Sequence, residues 1–309
     1  RRVSLVKNFQ NSLKKYNPMG RVFCTDIEPR LSPACQVADS FEVSPKPSDS
    51  GYYIFLLDFC KKNEISIVIP TSDTELSILS EYKRDFSNNG ITIAISDKIL
   101  CDIFYLKSKT CLFFENAGFL TPKILTDLND ALYPIFAKLN NSSYSIGAEV
   151  IYERDRAIEL IMKNKSYVFQ EFIDGEEYTV DVFFDKNSKI KCIVPRKRLE
   201  VRAGEVSKSL ALKDKEIEDE IKRLEPYLVG AYSTLTIQIF KTIDGKIFFI
   251  EINPRFGGGY PLTYFAGADF ADMLIRDFNG DELEFCTNWQ DKTLMLRYDS
   301  EIIIKNFEL

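Results

Sequence analysis

In the first third of the chain, apolar positions fall at two spacings in alternation. Val6, Phe9, Leu13 and Tyr16 recur at three- and four-residue intervals, which marks one face of a helix, and Arg21–Asp26 then reads as a short strand. A second unit follows the same order: a helix over 51–62, a strand over 65–69, a break at Pro70-Thr71-Ser72-Asp73, a helix from about Thr74 and a strand over 91–95. Strands alternating with helices predict a parallel sheet with helices on its faces. A domain of that kind opens on a strand. This sequence opens in a helix, so the domain is expected to be N-terminally incomplete.

The pattern then changes. Residues 97–118 read as helix, stopped by Gly118 and Thr121-Pro122. A strand over 133–138, the polar stretch 139–147, a helix over 155–163 and a strand over 167–172 come next. Beyond Gly175 lie β-rich segments over 177–185 and 189–200, and a helix over 214–229 carrying Ile217, Ile221, Leu224 and Leu228 on one face. The expected organisation is an α/β domain (1–97), a helical connection (98–122), a small unit (123–174) and a larger α+β unit (175–309).

Thr234–Gly259 carries the strongest local signal. Two alternating runs flank Asp244-Gly245, a dipeptide that favours a tight hairpin. A two-residue loop there pairs Ile243 with Lys246 and, counting back, Gln238 with Glu251. Period-two alternation puts Asn253 on the face of Glu251, with Ile237, Ile239, Ile250 and Ile252 on the other. Three oxygen donors on one face match a Mg²⁺ site completed by nucleotide phosphates. The same residue types are equally ordinary on a solvated strand. Arg255, at the strand end, could reach a transferring phosphoryl group.

Composition narrows the chemistry. The 309 residues include no histidine, which removes Ser-His-Asp and Cys-His nucleophiles and imidazole acid–base catalysis. What remains, carboxylates, Lys, Arg, backbone amides and oxygen-bound cations, is the inventory of phosphoryl chemistry. A net charge of -6 argues against a nucleic-acid or anionic-membrane binder. No apolar run approaches a membrane span of ~18–20 residues. Seven cysteines without a C-x-x-C pair read as reduced thiols of a cytoplasmic protein.

Glu251-Ile252-Asn253-Pro254-Arg255, with Gln238 upstream, resembles the metal-binding signature of the ATP-grasp superfamily, in the branch typified by the large subunit of carbamoyl-phosphate synthetase and related single-chain ligases. The resemblance spans essentially the whole chain. It implies an ATP-grasp fold, α/β and α+β, with a preceding parallel α/β domain, residues 123–174 serving as its lid. Residues 168–178 resemble the hinge that holds adenine through the backbone of Gln170, Glu171, Phe172 and Ile173, with Glu177 on the ribose. Tyr133–Lys138 resembles the strand ending in a phosphate-binding lysine, and Lys107 the second nucleotide-binding lysine, with Lys109 as the alternative. The phosphate loop, glycine-rich in the family, is here Asn140–Gly147, where Ser145 is a candidate donor. Gln238, Glu251 and Asn253 would hold Mg²⁺, with Mn²⁺ as a substitute.

In the basic segment 195–205, alternation puts Arg196, Arg198, Glu200 and Arg202 on one face. The resemblance turns that face toward the γ-phosphate, with Arg196 and Arg202 on the acceptor carboxylate or acyl phosphate; a solvated charged strand is the competing reading. Asp73 and Glu75 follow a parallel strand, where open sheets bind ligands, but Asp73 also suits a helix N-cap. The function implied is an ATP- and Mg²⁺-dependent, ADP-forming ligase that joins a small carboxylate to an amine. The alternatives are a small-acid phosphotransferase and a silent nucleotide-binding module. Homo-oligomers are compatible with this reading.

Overall fold

A computed structural model of the chain describes residues 2–141, 146–202 and 204–307. The first domain comprises helix α1 (Val3–Tyr16), strand β1 (Phe23–Asp26), α2 (Pro33–Val37), β2 (Ser40–Val43), α3 (Tyr52–Lys62), β3 (Ile67–Val68), α4 (Asp73–Glu81), α5 (Lys83–Asn88) and β4 (Thr92–Ile93). Its strands are parallel, as the alternation predicted, but they form two pairs, β1 with β2 and β3 with β4, rather than one sheet. A cavity of about 950 Å³ separates the pairs, lined by Phe23, Cys24, Ile67 and Val68 and covered by Leu5 and Leu56 from the helices. β2 escaped the sequence reading because only Phe41 and Val43 are large and apolar there, and both are exposed.

The helix expected over 97–118 is two: α6 (Lys98–Tyr105) and α7 (Lys107–Asn116), parted at Leu106, whose backbone is extended. The cause is tertiary. Asn140 caps α7 from outside, its carbonyl accepting from Lys107 N–H and its side-chain oxygen from Ser108 N–H. The break therefore places Lys107 at the first position of a helix.

Next come β5 (Ile135–Leu139), β6 (Glu149–Ile151), α8 (Arg154–Lys163) and β7 (Tyr167–Glu171). They form a three-stranded antiparallel sheet in the order β6-β5-β7, under which α8 buries Ala157 and Leu160 against Ile135 and Phe169. The remaining elements are β8 (Glu176–Phe184), β9 (Ile190–Arg202), β10 (Glu205–Ala211), α9 (Lys215–Leu224), β11 (Ser233–Lys241), β12 (Ile247–Asn253), α10 (Tyr260–Phe265), α11 (Phe270–Asn279) and β13 (Thr293–Leu296). Helix α9 stops earlier than expected because Pro226 diverts the chain into a 3₁₀ turn over Glu225–Tyr227.

The larger sheet is antiparallel, in the order β12-β11-β8-β9-β10-β13. One face carries Val180, Val182, Leu235, Ile237, Ile239 and Ile252, sealed by α6, α7 and α9. On the other face Phe183 and Val194 pack against α1, α10 and α11. Only this second face leaves polar residues for a site.

Candidate active site

The β11–β12 pairing sets Gln238 opposite Glu251 and Thr236 opposite Asn253. That is the predicted register, reached by a different route. The loop is one residue longer than a two-residue hairpin: Thr242 N–H donates to the Lys246 carbonyl and Gly245 sits at φ 81°, leaving Ile243 fully exposed instead of facing Lys246. A bulge between Gln238 and Ile239 offsets the slip, so Phe249 rather than Ile250 packs opposite Ile239 in the core.

Neighbouring strands extend the face. β8 sets Asp181 beside Thr236, Thr179 beside Gln238 and Glu177 beside Phe240, and β9 sets Arg196 beside Thr179. The Asn253 amide donates to Glu251 Oε1 at 3.1 Å. The donor set of Gln238, Glu251 and Asn253 fits a hard divalent cation, being all oxygen with a single carboxylate. Three protein oxygens leave the other positions of a hard six-coordinate cation to oxygens from a ligand or water.

Two lysines converge on this face. Lys138, in β5, is 4% exposed, and among the described residues its ammonium has no hydrogen-bond or ion-pair partner. Burial drives its pKa below the ordinary 10.5; the Glu251 carboxylate opposes that shift and Lys107 adds to it. Lys107 lines a small pocket together with Glu251, Asn253, Asp73 and Asn141. Ser145 lies outside the described residues.

Residues 172–175 connect the small sheet to the large one. Gln170 turns inward, its side-chain amide donating to the Pro122 carbonyl at 3.0 Å. The Glu171 N–H is committed to the Lys123 carbonyl. Phe172 and Ile173 have no backbone–backbone hydrogen bond among the described residues, which leaves their groups open to a ligand. A Cβ on Gly175 would lie 2.9 Å from the Lys241 carbonyl, so the hinge passes β11 only because it is glycine. Glu177 is half-buried and ion-paired to Arg198 at 3.1 Å; desolvation raises its pKa, Arg198 opposes the shift and Glu251 adds to it.

The basic strand needs correction. Arg196 does not face a ligand: it is 1% exposed and forms two hydrogen bonds of 2.8 and 2.9 Å to Asp181, itself 0% exposed. Arg202 leaves the site altogether. It lies at the far end of β9, 59% exposed, paired at 2.7 Å with Asp299, 82% exposed. Alternation expected a common face for the two, but the β9–β10 register shifts between Arg198 and Glu200 and β9 runs on into an exposed hairpin with β10, so the strand passes from core to solvent. Arg255 stays at the strand end, held by Asp73 through bonds of 2.6 and 2.7 Å. Asp73 is not a cap. Ser72 caps α4 in a capping box with Glu75, and Asp73 instead bonds Arg255 across the domains. Glu75 accepts from Thr71 N–H, Ser72 N–H and Tyr52 O–H, so it is structural.

Sequence reasoning missed Asp181, Thr236 and the Glu205–Arg297 pair, in which Arg297 also donates to the Gly258 carbonyl at 2.6 Å. Asp181 carried a readable signal, a lone acid at a core-facing strand position, but Arg297 lies beyond any motif.

Residues 1–94 match the PylC-like N-terminal domain family, and residues 163–299 match the family described as ATP-grasp in the biosynthetic pathway with Ter operon. The chain is similar to D-alanine–D-alanine ligase of Aquifex aeolicus, 21% identical over 232 residues, 66% of this chain and 79% of that protein. It is 32% identical over 127 residues to tyramine–L-glutamate ligase of Methanocaldococcus jannaschii, 40% of this chain and 39% of that protein. Among solved structures it resembles the MgADP-bound biotin carboxylase domain of Hydrogenobacter thermophilus 2-oxoglutarate carboxylase, with TM-score 0.71 and 16% identity over 95% of this chain and 70% of that one. The ADP complex of N5-carboxyaminoimidazole ribonucleotide synthetase gives TM-score 0.72 and 18% identity over 92% of this chain and 76% of that one. The fold is the ATP-grasp fold. All seven cysteines are free thiols, and no helix among the described residues is long and apolar enough to cross a membrane.

Proposed function

We propose that the chain, which has the ATP-grasp fold, is an ADP-forming carboxylate–amine ligase that uses Mg²⁺·ATP, phosphorylating the carboxylate of a small, amino-acid-like substrate and joining it to an amine at the β11–β12 face. The observation that carries this reading is Lys138, a buried ammonium without a hydrogen-bond or ion-pair partner among the described residues, with Glu251 and Lys107 as its charged neighbours. A cation in that state is costly unless an anion arrives, and polyphosphate supplies one. The two named relatives, which join D-alanine to D-alanine and tyramine to L-glutamate, support an amino-acid carboxylate as the class.

Adenine is held at the hinge by Phe172 and Ile173 and ribose by Glu177, which Arg198 orients. Lys138 and Lys107 bind the phosphates. Gln238, Glu251 and Asn253 would hold Mg²⁺, which when bound would neutralise phosphate charge. A substrate carboxylate oxygen attacks the γ-phosphorus, the bond to the β–γ bridging oxygen breaks, and ADP leaves. The amine nitrogen then attacks the acyl carbon, expels phosphate and loses a proton. Arg255, kept in place by Asp73, lies where negative charge develops. Positioning and electrostatics are the main contributions of the chain, in keeping with a site that has no imidazole.

The test is ADP release measured over a panel of amino acids and amines. Release should require both a carboxylate and an amine. Glu251→Gln should abolish turnover while the protein stays folded, since it removes the only carboxylate of the metal set. Wild-type turnover and metal affinity in that variant would remove Glu251 from the site.

A further inference from the structure

We infer that the buried Asp181–Arg196 pair is a positioning element of this active site, fixing the strand end that carries Asn253 and Arg255 and the glycine turn behind it. The inference rests on the proposed function in one respect, that Asn253 and Arg255 serve the chemistry.

The pair is fully enclosed, Asp181 on β8 and Arg196 on β9, so it touches no ligand and acts only through what it holds. Asp181 Oδ2 also accepts from the Thr263 hydroxyl at 2.5 Å, which ties α10 to the sheet. The Thr236 hydroxyl lies 3.4 Å from Asp181 Oδ1 and 2.9 Å from the Arg255 carbonyl. Asp181 thus holds the Thr263 end of the segment directly, and Thr236, packed beside it, gives its one proton to the carbonyl at the Arg255 end. The turn between them presses directly on this polar floor. A Cβ on Gly259 would lie 2.2 Å from Arg196 Nη1, and one on Gly257 3.0 Å from the Thr236 side chain. Arg196 Nη1 is buried without a hydrogen-bond partner among the described residues, so the guanidinium forms the seat of the turn rather than a bond to it.

Stability alone does not account for such a pair. Apolar residues of similar volume, spared the desolvation of two charges, often pack as well or better. What they lack is direction: a hydroxyl bonded to the Arg255 carbonyl fixes an angle, whereas apolar contact leaves the peptide free to rock. In the sheet, Thr236 is also the residue opposite Asn253, so a shift of this row moves a metal ligand and Arg255 together.

Removing one charge strands the other in the core, so the variant to make is Asp181→Leu/Arg196→Met, which removes both. Thr236→Val, close to isosteric, removes only the hydroxyl link and decides the matter if the double variant does not fold. Both are made in the full chain and compared by hydrogen–deuterium exchange over residues 253–260, by Mg·ADP affinity and by turnover. Opening confined to 253–260 is expected, with exchange at least about tenfold faster there and β8 and β9 unchanged. Mg·ADP affinity should hold within about threefold while kcat falls roughly a hundredfold, the cost of a misplaced reacting group. Unchanged exchange in 253–260, or faster exchange with unchanged kcat, overturns the inference. If the wild-type chain releases no ADP with any substrate pair, the ligase reading fails by itself. The exchange comparison then decides whether the pair holds the turn.

Discussion

Replacing Lys138 by Met should make the protein more stable and worse at binding ATP. The side chains are similar in length, but Met leaves no charge on the buried face that Lys138 shares with Phe136, where it pairs with Val168 of β7. In the absence of ligand the ammonium is desolvated, 4% exposed and without a hydrogen bond among the described residues, and the Glu251 carboxylate compensates only in part. Relief of that strain should contribute roughly 1 kcal/mol, within the range for removing a functional liability. For a chain of this size that is a Tm rise of about 2–4 °C. The pH dependence has a definite sign. Because the folded pKa lies below the ordinary 10.5, the unfolded chain binds more protons between the two values, and wild-type stability rises with pH across that window. The advantage of Met should therefore be largest below the depressed pKa and fade toward 10.5. With nucleotide the order reverses. A lost charge-assisted hydrogen bond to phosphate is worth about 1.5–3 kcal/mol, or roughly 10- to 150-fold in Kd. Thermal unfolding with and without Mg·ATP, over a pH series, reads both effects from one preparation. If Lys138→Met lowers the ligand-free Tm and leaves the ATP Kd unchanged, Lys138 is a structural residue and the argument from its burial fails.

Two other substitutions separate binding from chemistry and surface from site. Glu177→Ala should raise the KM for ATP more than it lowers kcat, because a ribose contact is equal in ground and transition states; steady-state kinetics at varied ATP checks this, and a pure kcat loss would move Glu177 to the reacting end. Arg202→Ala should change stability and rate by less than about 0.5 kcal/mol, since its partner Asp299 is itself exposed. A hundredfold loss of ADP release would return Arg202 to the acceptor site.

Period and turn chemistry made much of the site legible, and tertiary contacts hid the rest. The Gln238–Glu251 pairing followed from the Asp244-Gly245 signal although the loop was assigned one residue too short, because a bulge beside Gln238 took up the difference. Neither feature has a sequence signature strong enough to predict alone. Alternation placed Arg196 and Arg202 on one face but carries no information on depth, and Asp181, from a different strand, is what pulls Arg196 inside. The break at Leu106 was invisible for a similar reason, since its cap, Asn140, lies 32 residues along the chain from Ser108, whose amide its side chain accepts. Asp73 read as a cap because Ser72, one residue earlier, offers the same chemistry.

The central claim is that a carboxylate is activated through an acyl phosphate, and oxygen tracing tests it most directly. With a substrate acid labelled with ¹⁸O in both carboxylate oxygens, unlabelled ATP and an amine that supports turnover, the released phosphate should carry one ¹⁸O per amide formed and the nucleotide product should be ADP. Attack on the γ-phosphorus by the acid requires that transfer, because the bridging oxygen leaves with phosphate when the amine closes on the acyl carbon. Unlabelled phosphate alongside labelled amide, or AMP and pyrophosphate as products, would contradict the account.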